Sequence, residues 1–462
     1  MRRGLLIYVL ACVVACGSSK SELAQPPLDP VALVPAKDEN PDPAVLEVSL
    51  EAREATTSYG GAAPTPVWTY NGRVPGPLLD AKVGDRIIVK LTNSLPDSTS
   101  IHWHGVRLPA TMDGTMAMQS PIPSGGTFRY EFTFKDAGLY WYHPHVRSDM
   151  QVHKGLYGAI RVHGPNEPTV DDERILILDD IKLRADGTIN DYLDDMSRMM
   201  GREGNTLLVN GIPDATLNVR AGGTVRLRLV NAANGRFFNL RLSGHTWRVI
   251  GHDGGLLAKA YDTEHVLIAP GERYDVLVIP NGAPSTTIDL LDDPYDRGHD
   301  SGGRPTLTVA HVRLSDEAPL TGRVLPDAFP GVAALPGADA TSVSIKLDEA
   351  TRNGETVFTV NGQTYPDVPP VDVENGGLRI LDVENASEMD HPFHLHGFFF
   401  QVVEKNGAPV VLDSMGNKDT IIIPAKGRLK LRTRFDEPGH WMYHCHILEH
   451  AELGMMGEVH VQ

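Results

Sequence analysis

From Val45 onward the chain consists of short runs in which apolar and polar residues alternate. Val225, Leu227 and Leu229 enclose Arg226 and Arg228, and the stretches Ile87 to Leu91 and Leu378 to Val383 are of the same type. A period of two sends successive side chains to opposite faces, the mark of half-buried strands in antiparallel sheets. No long stretch carries a 3.6-residue period with helix caps, so the pattern predicts an all-β chain. Frequent turns separate the runs, in keeping with 45 Gly and 34 Pro.

The turns recur in a fixed frame. Asn71-Gly72, Asn210-Gly211 and Asn361-Gly362 each precede a glycine turn (Gly84, Gly222-Gly223, Gly376-Gly377), a strand run, and then a further asparagine, Asn93, Asn231 or Asn385. Self-similarity of this kind marks a repeated module. The 462 residues fit about three domains. The prediction is three consecutive Greek-key β-sandwiches over 45–165, 170–315 and 340–462. Before them, Arg2 and Arg3 lead an apolar run from Leu5 to Ala15, too short to span a bilayer and typical of a signal peptide. It ends in Val13-Val14-Ala15-Cys16-Gly17, which resembles a bacterial lipobox. Residues 1–16 are therefore expected to be a signal peptide with lipidation at Cys16, and 17–44 a solvated tether. The expected destination is the periplasm or cell surface, with membrane contact only through that anchor.

Charge removes one class of partner. There are 42 Lys and Arg against 59 Asp and Glu, a net −17, the opposite of a nucleic-acid footprint. Cysteines stand at 12, 16 and 445, which leaves one thiol in the folded part and no internal disulfide. Histidine is the anomaly. Of 19, ten fall in four clusters: His102 and His104; His143 and His145; His391, His394 and His396; His444, His446 and His450.

On a strand, residues i and i+2 share a face, so each His-x-His offers two imidazoles to one side. Imidazole suits copper and zinc. One such pair says little, but the pairs match between repeats one and three: Gly138 to His145 (GLYWYHPH) aligns with Gly439 to His446 (GHWMYHCH). The middle repeat has neither pair. Repeat three adds Cys445 between His444 and His446, with His450 and Met455 beyond and His391 upstream. Two His, one thiolate and one thioether are the donors of a blue-copper site, whereas zinc more often takes several thiolates. Repeat one has Thr99, Pro144 and Leu156 at the positions of His391, Cys445 and Met455. Its histidines therefore serve a site shared by both repeats.

These four motifs together resemble those of three-domain multicopper oxidases of the bacterial laccase and cuprous-oxidase type, over essentially the whole mature chain. The resemblance implies cupredoxin-like domains and four copper ions. It assigns His391, Cys445, His450 and Met455 to a type 1 copper, and His102 and His394 to a type 2 copper. His104, His143, His145, His396, His444 and His446 fall to a type 3 pair. It also implies four one-electron oxidations of a small-molecule reductant or metal ion, coupled to reduction of O₂ to two waters. Electrons would pass from Cys445 to His444 and His446, and Asp113 would serve proton delivery; the plainer role for Asp113 is a turn residue before Gly114. The second acid of many bacterial relatives is replaced by Ala451, with Glu449 and Glu452 nearby.

Glu388, Met389 and Asp390 precede the electron-accepting His391 and are candidate substrate residues, or else loop residues on a solvated edge. Met196, Met199 and Met200 form a short cluster that reads as core filler. The expected substrates are phenols and aromatic amines, with oxidation of Cu(I) or Fe(II) as the alternative. A cupredoxin scaffold without copper and a copper nitrite reductase fit less well, since every ligand position is filled and the paired histidines exceed the needs of a single catalytic copper.

Overall fold

The computed structural model describes residues 31–60, 63–190, 193–299, 301–321, 323–337 and 340–462. The expected signal peptide, Cys16 and residues 17–30 lie outside them. Residues 31–462 form one compact unit. Among the described residues the only α-helices are α1 (Ser148–His153), α2 (Asp195–Met200) and α3 (Leu448–Glu452). No described helix is long and apolar enough to cross a membrane. The rest is strand and loop, and the chain is all-β.

Six sheets stack as three sandwiches, two sheets in each. Their strands run from Val45 to His163, from Asp172 to Leu314 and from Thr341 to Val461. Each repeat contributes a separate apolar core, centred on residues such as Val89 and Trp103, Leu229 and Trp247, or Leu381 and Trp441. A fourth cluster joins Leu139, Trp141 and Tyr157 of repeat one to Ile177 and Val230 of repeat two and Leu448 of repeat three. This fourth core fixes the sandwiches against one another.

The pairing is not purely antiparallel, as alternation alone suggested. In each repeat the first strand runs parallel to a later one: Val45–Thr57 with Arg86–Asn93, Asp172–Ile181 with Val225–Asn231, Thr341–Arg352 with Gly377–Asn385. A second parallel pair closes the other sheet of each repeat. The crossing connections of a Greek key bring such strands side by side, and local periodicity carries no trace of strand direction.

The repeated asparagines have a structural cause. Asn71, Asn210 and Asn361 adopt φ of 55°, 52° and 52°, and their side-chain oxygens accept from the backbone N–H of Glu51, Ile177 and Lys346. Asparagine tolerates this left-handed turn and clips it to the first strand. The second set works as a brace. Asn93 Nδ2 donates to the carbonyls of Asp97 and Ile122, Asn231 to Arg236 and Ile268, and Asn385 to Met389 and Ile423. In repeats one and three the braced loop leads directly into the strand that carries His-x-His.

The second half of the expected tether departs from that reading. Val31 is buried, its carbonyl accepts from Asn210 Nδ2, and Ala36 N–H and Leu78 N–H pair with Leu78 and Val34 carbonyls. Residues 31–44 form a strap over repeats one and two. Apolar Val31 and Leu33, easily lost within a polar stretch, anchor it.

Candidate copper centres

The strand His102–His104 pairs with Gly138–His143, and His391–Leu395 pairs with Gly439–Cys445, setting His102 opposite His143 and His394 opposite His444. The two strand pairs face each other across the contact of repeats one and three. Eight imidazoles meet there, all buried. His145, His396 and His444 form one triad, with His444 Nε2 3.4 Å from His145 Nε2 and 3.0 Å from His396 Nε2. His104, His143 and His446 form a second, with ring centres 5.8, 5.6 and 4.9 Å apart. His102 and His394 lie beside both triads, 5.8 Å apart.

Their nitrogens divide into two groups. On one side protein atoms hold the rings. His102 Nδ1 lies 3.1 Å from the Asp113 carbonyl, His143 Nδ1 2.9 Å from that of Pro144, His394 Nδ1 3.0 Å from that of Asp419 and His444 Nδ1 2.8 Å from that of Cys445. His396 Nδ1 donates to Asp113 Oδ2 at 2.9 Å. On the other side, His102 Nε2, His104 Nδ1, His143 Nε2, His394 Nε2 and both nitrogens of His446 have no hydrogen-bond partner among the described residues. A buried polar atom left unpaired costs about 1–3 kcal/mol. At His102, His104, His143 and His394 one nitrogen is open and the other is held, which fixes tautomer and orientation as metal ligation requires, while His446 leaves both open. Burial lowers the imidazoles of His104, His143, His394, His396, His444 and His446, and brings His145 to about 3, so they remain neutral donors. The residues present fit copper here.

A second centre lies on the opposite face of the same strand. Cys445 Sγ is 3.5 Å from His391 Nδ1 and 3.8 Å from His450 Nδ1, and those two nitrogens are 3.3 Å apart. Ser387 Oγ holds His391 Nε2 at 2.9 Å, and the Met199 carbonyl accepts from His450 Nε2 at 3.1 Å. Burial pushes the Cys445 thiol up, so a bound cation is needed to hold it as thiolate. Met455 is fully buried in the same core, and its carbonyl accepts from Cys445 N–H. Met456 joins a different cluster, with Met442 and Ala451. The donors fit a blue-copper set: His391, Cys445 and His450 meet, and Met455 is buried in the same core, bonded through its backbone to Cys445 and His450.

Asp113 lies where the sequence placed it, buried between His396 and His102. Burial raises its carboxyl, but the two imidazoles outweigh that and hold it well below the usual range. Gly114 (φ 78°) makes the turn possible, since a Cβ there would strike the Ile101 carbonyl. The candidate substrate residues do not stay together. Met389 is core, and Asp390 is buried, accepting from Tyr295 Oη at 2.5 Å and Ala425 N–H at 2.8 Å. Glu388 alone is exposed, paired with Lys426 at 2.6 Å. The brace at Asn385 pulls this loop inward, which residue type could not reveal. Met200 and Met199 pack in and against the core of repeat three, as filler, while Met196 of the same helix is 69% exposed and the Met199 backbone carbonyl meets His450.

Several supporting residues escaped the sequence reading. Arg273, from repeat two, donates to both carboxylate oxygens of Asp419 at 2.6 Å. Asp419 Oδ1 is 3.2 Å from His104 Nε2 and 3.5 Å from His394 Nδ1. Burial would raise Asp419, but Arg273 holds it far below the usual range. Gly271 lies against the His446 ring, where a Cβ would come within 2.7 Å of Cδ2. An arginine in the buried strand Arg273–Val278 was the one available signal. Glu449, already noted near Ala451 in the sequence, is fully buried and accepts from Asn234 Nδ2 at 2.7 Å.

Three cupredoxin-like sandwiches with copper-type donors at one strand and at one inter-repeat contact define a copper oxidoreductase fold. Comparison with known proteins agrees. Multicopper oxidase family profiles match residues 51–167, 176–286 and 338–462. The multicopper oxidase MmcO of Mycobacterium tuberculosis is 32% identical, over 89% of this chain and 86% of its own length. Among solved structures, a multicopper oxidase from Campylobacter jejuni described as a metallo-oxidase superposes with a TM-score of 0.81 at 30% identity, covering 93% of this chain and 94% of that one. A laccase-like multicopper oxidase from Ochrobactrum, described as active on lignin model compounds and lignosulfonate, gives 0.82 at 27% identity, covering 94% and 100%. The chain belongs to the multicopper oxidase family: it is an oxidoreductase that uses O₂ and copper.

Proposed function

We propose that the protein oxidises small one-electron reductants, Cu(I) or Fe(II) ahead of bulky phenols, and reduces O₂ to two waters. His391, Cys445, His450 and Met455 hold the type 1 copper, His102 and His394 the type 2 copper, and the two triads the type 3 pair. Bound there, the four copper ions supply one-electron redox chemistry and the binding and reduction of oxygen. The chain does the rest. Ser387 and the Met199 carbonyl fix the rings of His391 and His450. Covalent bonds join Cys445 to His444 and His446, so the two centres share one strand. Asp113 keeps a carboxylate between His396 and His102, a position from which it can exchange protons beside the oxygen-reducing histidines.

The observation that carries the choice of reductant is the cover over the type 1 histidines. His391 and His450 are both 0% exposed, and α2 closes over His450 with Met196 and Met199 on it. An aromatic ring would have no histidine edge to stack on, whereas a metal ion needs only soft or anionic groups at the surface, and Met196 offers a soft thioether. This reverses the order expected from sequence, in which phenols came first. Oxygen uptake should give a larger kcat/KM with Cu(I) or Fe(II) than with dimethoxyphenol; the opposite ranking would restore the laccase reading. We further propose export with a lipid anchor at Cys16, tested by whether Cys16→Ser frees the protein from the membrane fraction.

A further inference from the structure

The strand that carries Cys445 has an outer end that neither copper centre uses. In the strand pair Gly439–Cys445 and Met456–Val461, His440 stands directly opposite His460. On the far side of His460, in the parallel strand Val371–Val373, its register partner is Asp372. Three strands thus set Asp372, His460 and His440 in one row across the sheet. Directly opposite residues in neighbouring strands project to the same face.

The side chains are arranged as donors. The rings of His440 and His460 are stacked, with centres 3.9 Å apart and planes 14° from parallel. Stacked in this way their in-plane lone pairs run parallel, and a turn of the partly exposed His460 ring out of the stack brings a nitrogen of each to one ion. Glu458, two residues before His460 and on the same face, brings Oε2 to 2.9 Å from His460 Nε2. Asp372 Oδ1 lies 3.8 Å from His460 Nδ1. Whichever nitrogen of His460 binds an ion, a carboxylate is in place to hold the other, the arrangement that orients metal-bound histidines. The ring nitrogens of His440 have no hydrogen-bond partner among the described residues. Met118 Sδ lies 3.5 Å from the His440 backbone nitrogen, adding a soft group at the rim. The cluster is reachable: the His460 side chain is 20% exposed and that of Asp372 76%.

The two carboxylates flank His460 and draw a cation to this edge, and the cross-strand His440 adds a second imidazole that no carboxylate among the described residues pairs with. We propose that His440 and His460, supported by Glu458 and Asp372, form a surface site for one divalent transition-metal ion. Nitrogen and oxygen donors without thiolate select copper and zinc over calcium and magnesium, and Cu²⁺ is the tightest of the divalent series. The site is separate from the four coppers of the oxidase and does not depend on which reductant the enzyme uses.

The test adds metal to the copper-loaded holoenzyme after weakly held ions have been removed by chelation. Equilibrium dialysis with Cu²⁺, and in parallel with Zn²⁺, should show one further ion per chain. The Cu²⁺ form should add an electron paramagnetic resonance signal with nitrogen hyperfine structure. His440→Ala and His460→Ala should each weaken binding at least about 100-fold, and Asp372→Asn about tenfold. The blue absorption and oxygen uptake of these variants should match the parent, since none of the three residues contacts either copper centre. Two results would overturn the proposal: no ion taken up beyond the four, or an additional ion bound equally well by the His440→Ala/His460→Ala double variant.

Discussion

Repeats one and three carry the same strand pairs, the same His-x-His motifs and the same short helix after the second motif, yet only repeat three brings two histidines and a cysteine together on the other face of the strand. In repeat three, His391, Cys445 and His450 converge with nitrogens and sulfur 3.3–3.8 Å apart. In repeat one the equivalent space is closed. Thr99 stands where His391 would be and donates to Gln151 Oε1 at 2.7 Å, while Gln151 Nε2 donates to the Ser98 carbonyl at 2.9 Å. Pro144 replaces the cysteine and Leu156 the methionine, both buried. The scaffold therefore builds a pocket at this place in either repeat, and side-chain choice decides whether it holds metal or a hydrogen bond. The shared motifs survive in both because each repeat supplies half of the eight-histidine site.

The comparison breaks most completely at Cys445. Cys445→Ser keeps the size of the side chain and removes the thiolate, which makes repeat three resemble repeat one. The blue absorption should vanish and substrate oxidation should fall to background, while the circular dichroism spectrum stays that of the parent. Turnover retained in that variant would place electron acceptance elsewhere.

A smaller effect is expected where repeat two enters. It lacks ligands, but Arg273 holds Asp419 from the side of repeat two and Gly271 backs His446. Arg273→Gln would leave the buried Asp419 carboxylate without its partner, a loss of about 3–5 kcal/mol. Thermal unfolding should reveal that loss, and the type 2 copper resonance should change while the blue band does not. Arg273→Lys restores the charge but not the forked pair, so it should fall between the two. Equal stability in all three proteins would reduce repeat two to a spacer.

Much of this arrangement was legible in the chain. Alternation, the Asn-Gly turns and the paired histidines indicated three sandwiches and two sites, because each is a local pattern. What escaped was long-range. Arg273 and Asp419 are 146 residues apart and meet only through the packing of repeats two and three. Met389 and Asp390 looked like surface residues because the brace from Asn385, which draws their loop inward, leaves no mark on residue type. The cover of α2 over His450 joins Met199 to a residue 251 positions later, and a cluster of three methionines carries no address for what it covers.

The mildest perturbation tests whether the closed pocket of repeat one is only structural. Thr99 and Gln151 are both fully buried, so Thr99→Val would leave Gln151 Oε1 without a donor. The expected cost is about 1–3 kcal/mol, because valine keeps the shape and removes only the hydroxyl. Gln151 would still be held through Nε2, so the helix α1 should remain in place. His102, His143 and His145 project from the other face of these strands and their partners are untouched. Thermal unfolding should therefore shift downward, while the blue absorption and oxygen uptake remain those of the parent. A dimmed blue band or slower turnover would mean that the closed pocket communicates with the shared histidines, and repeats one and three would then differ in ligand content but not in mechanical role.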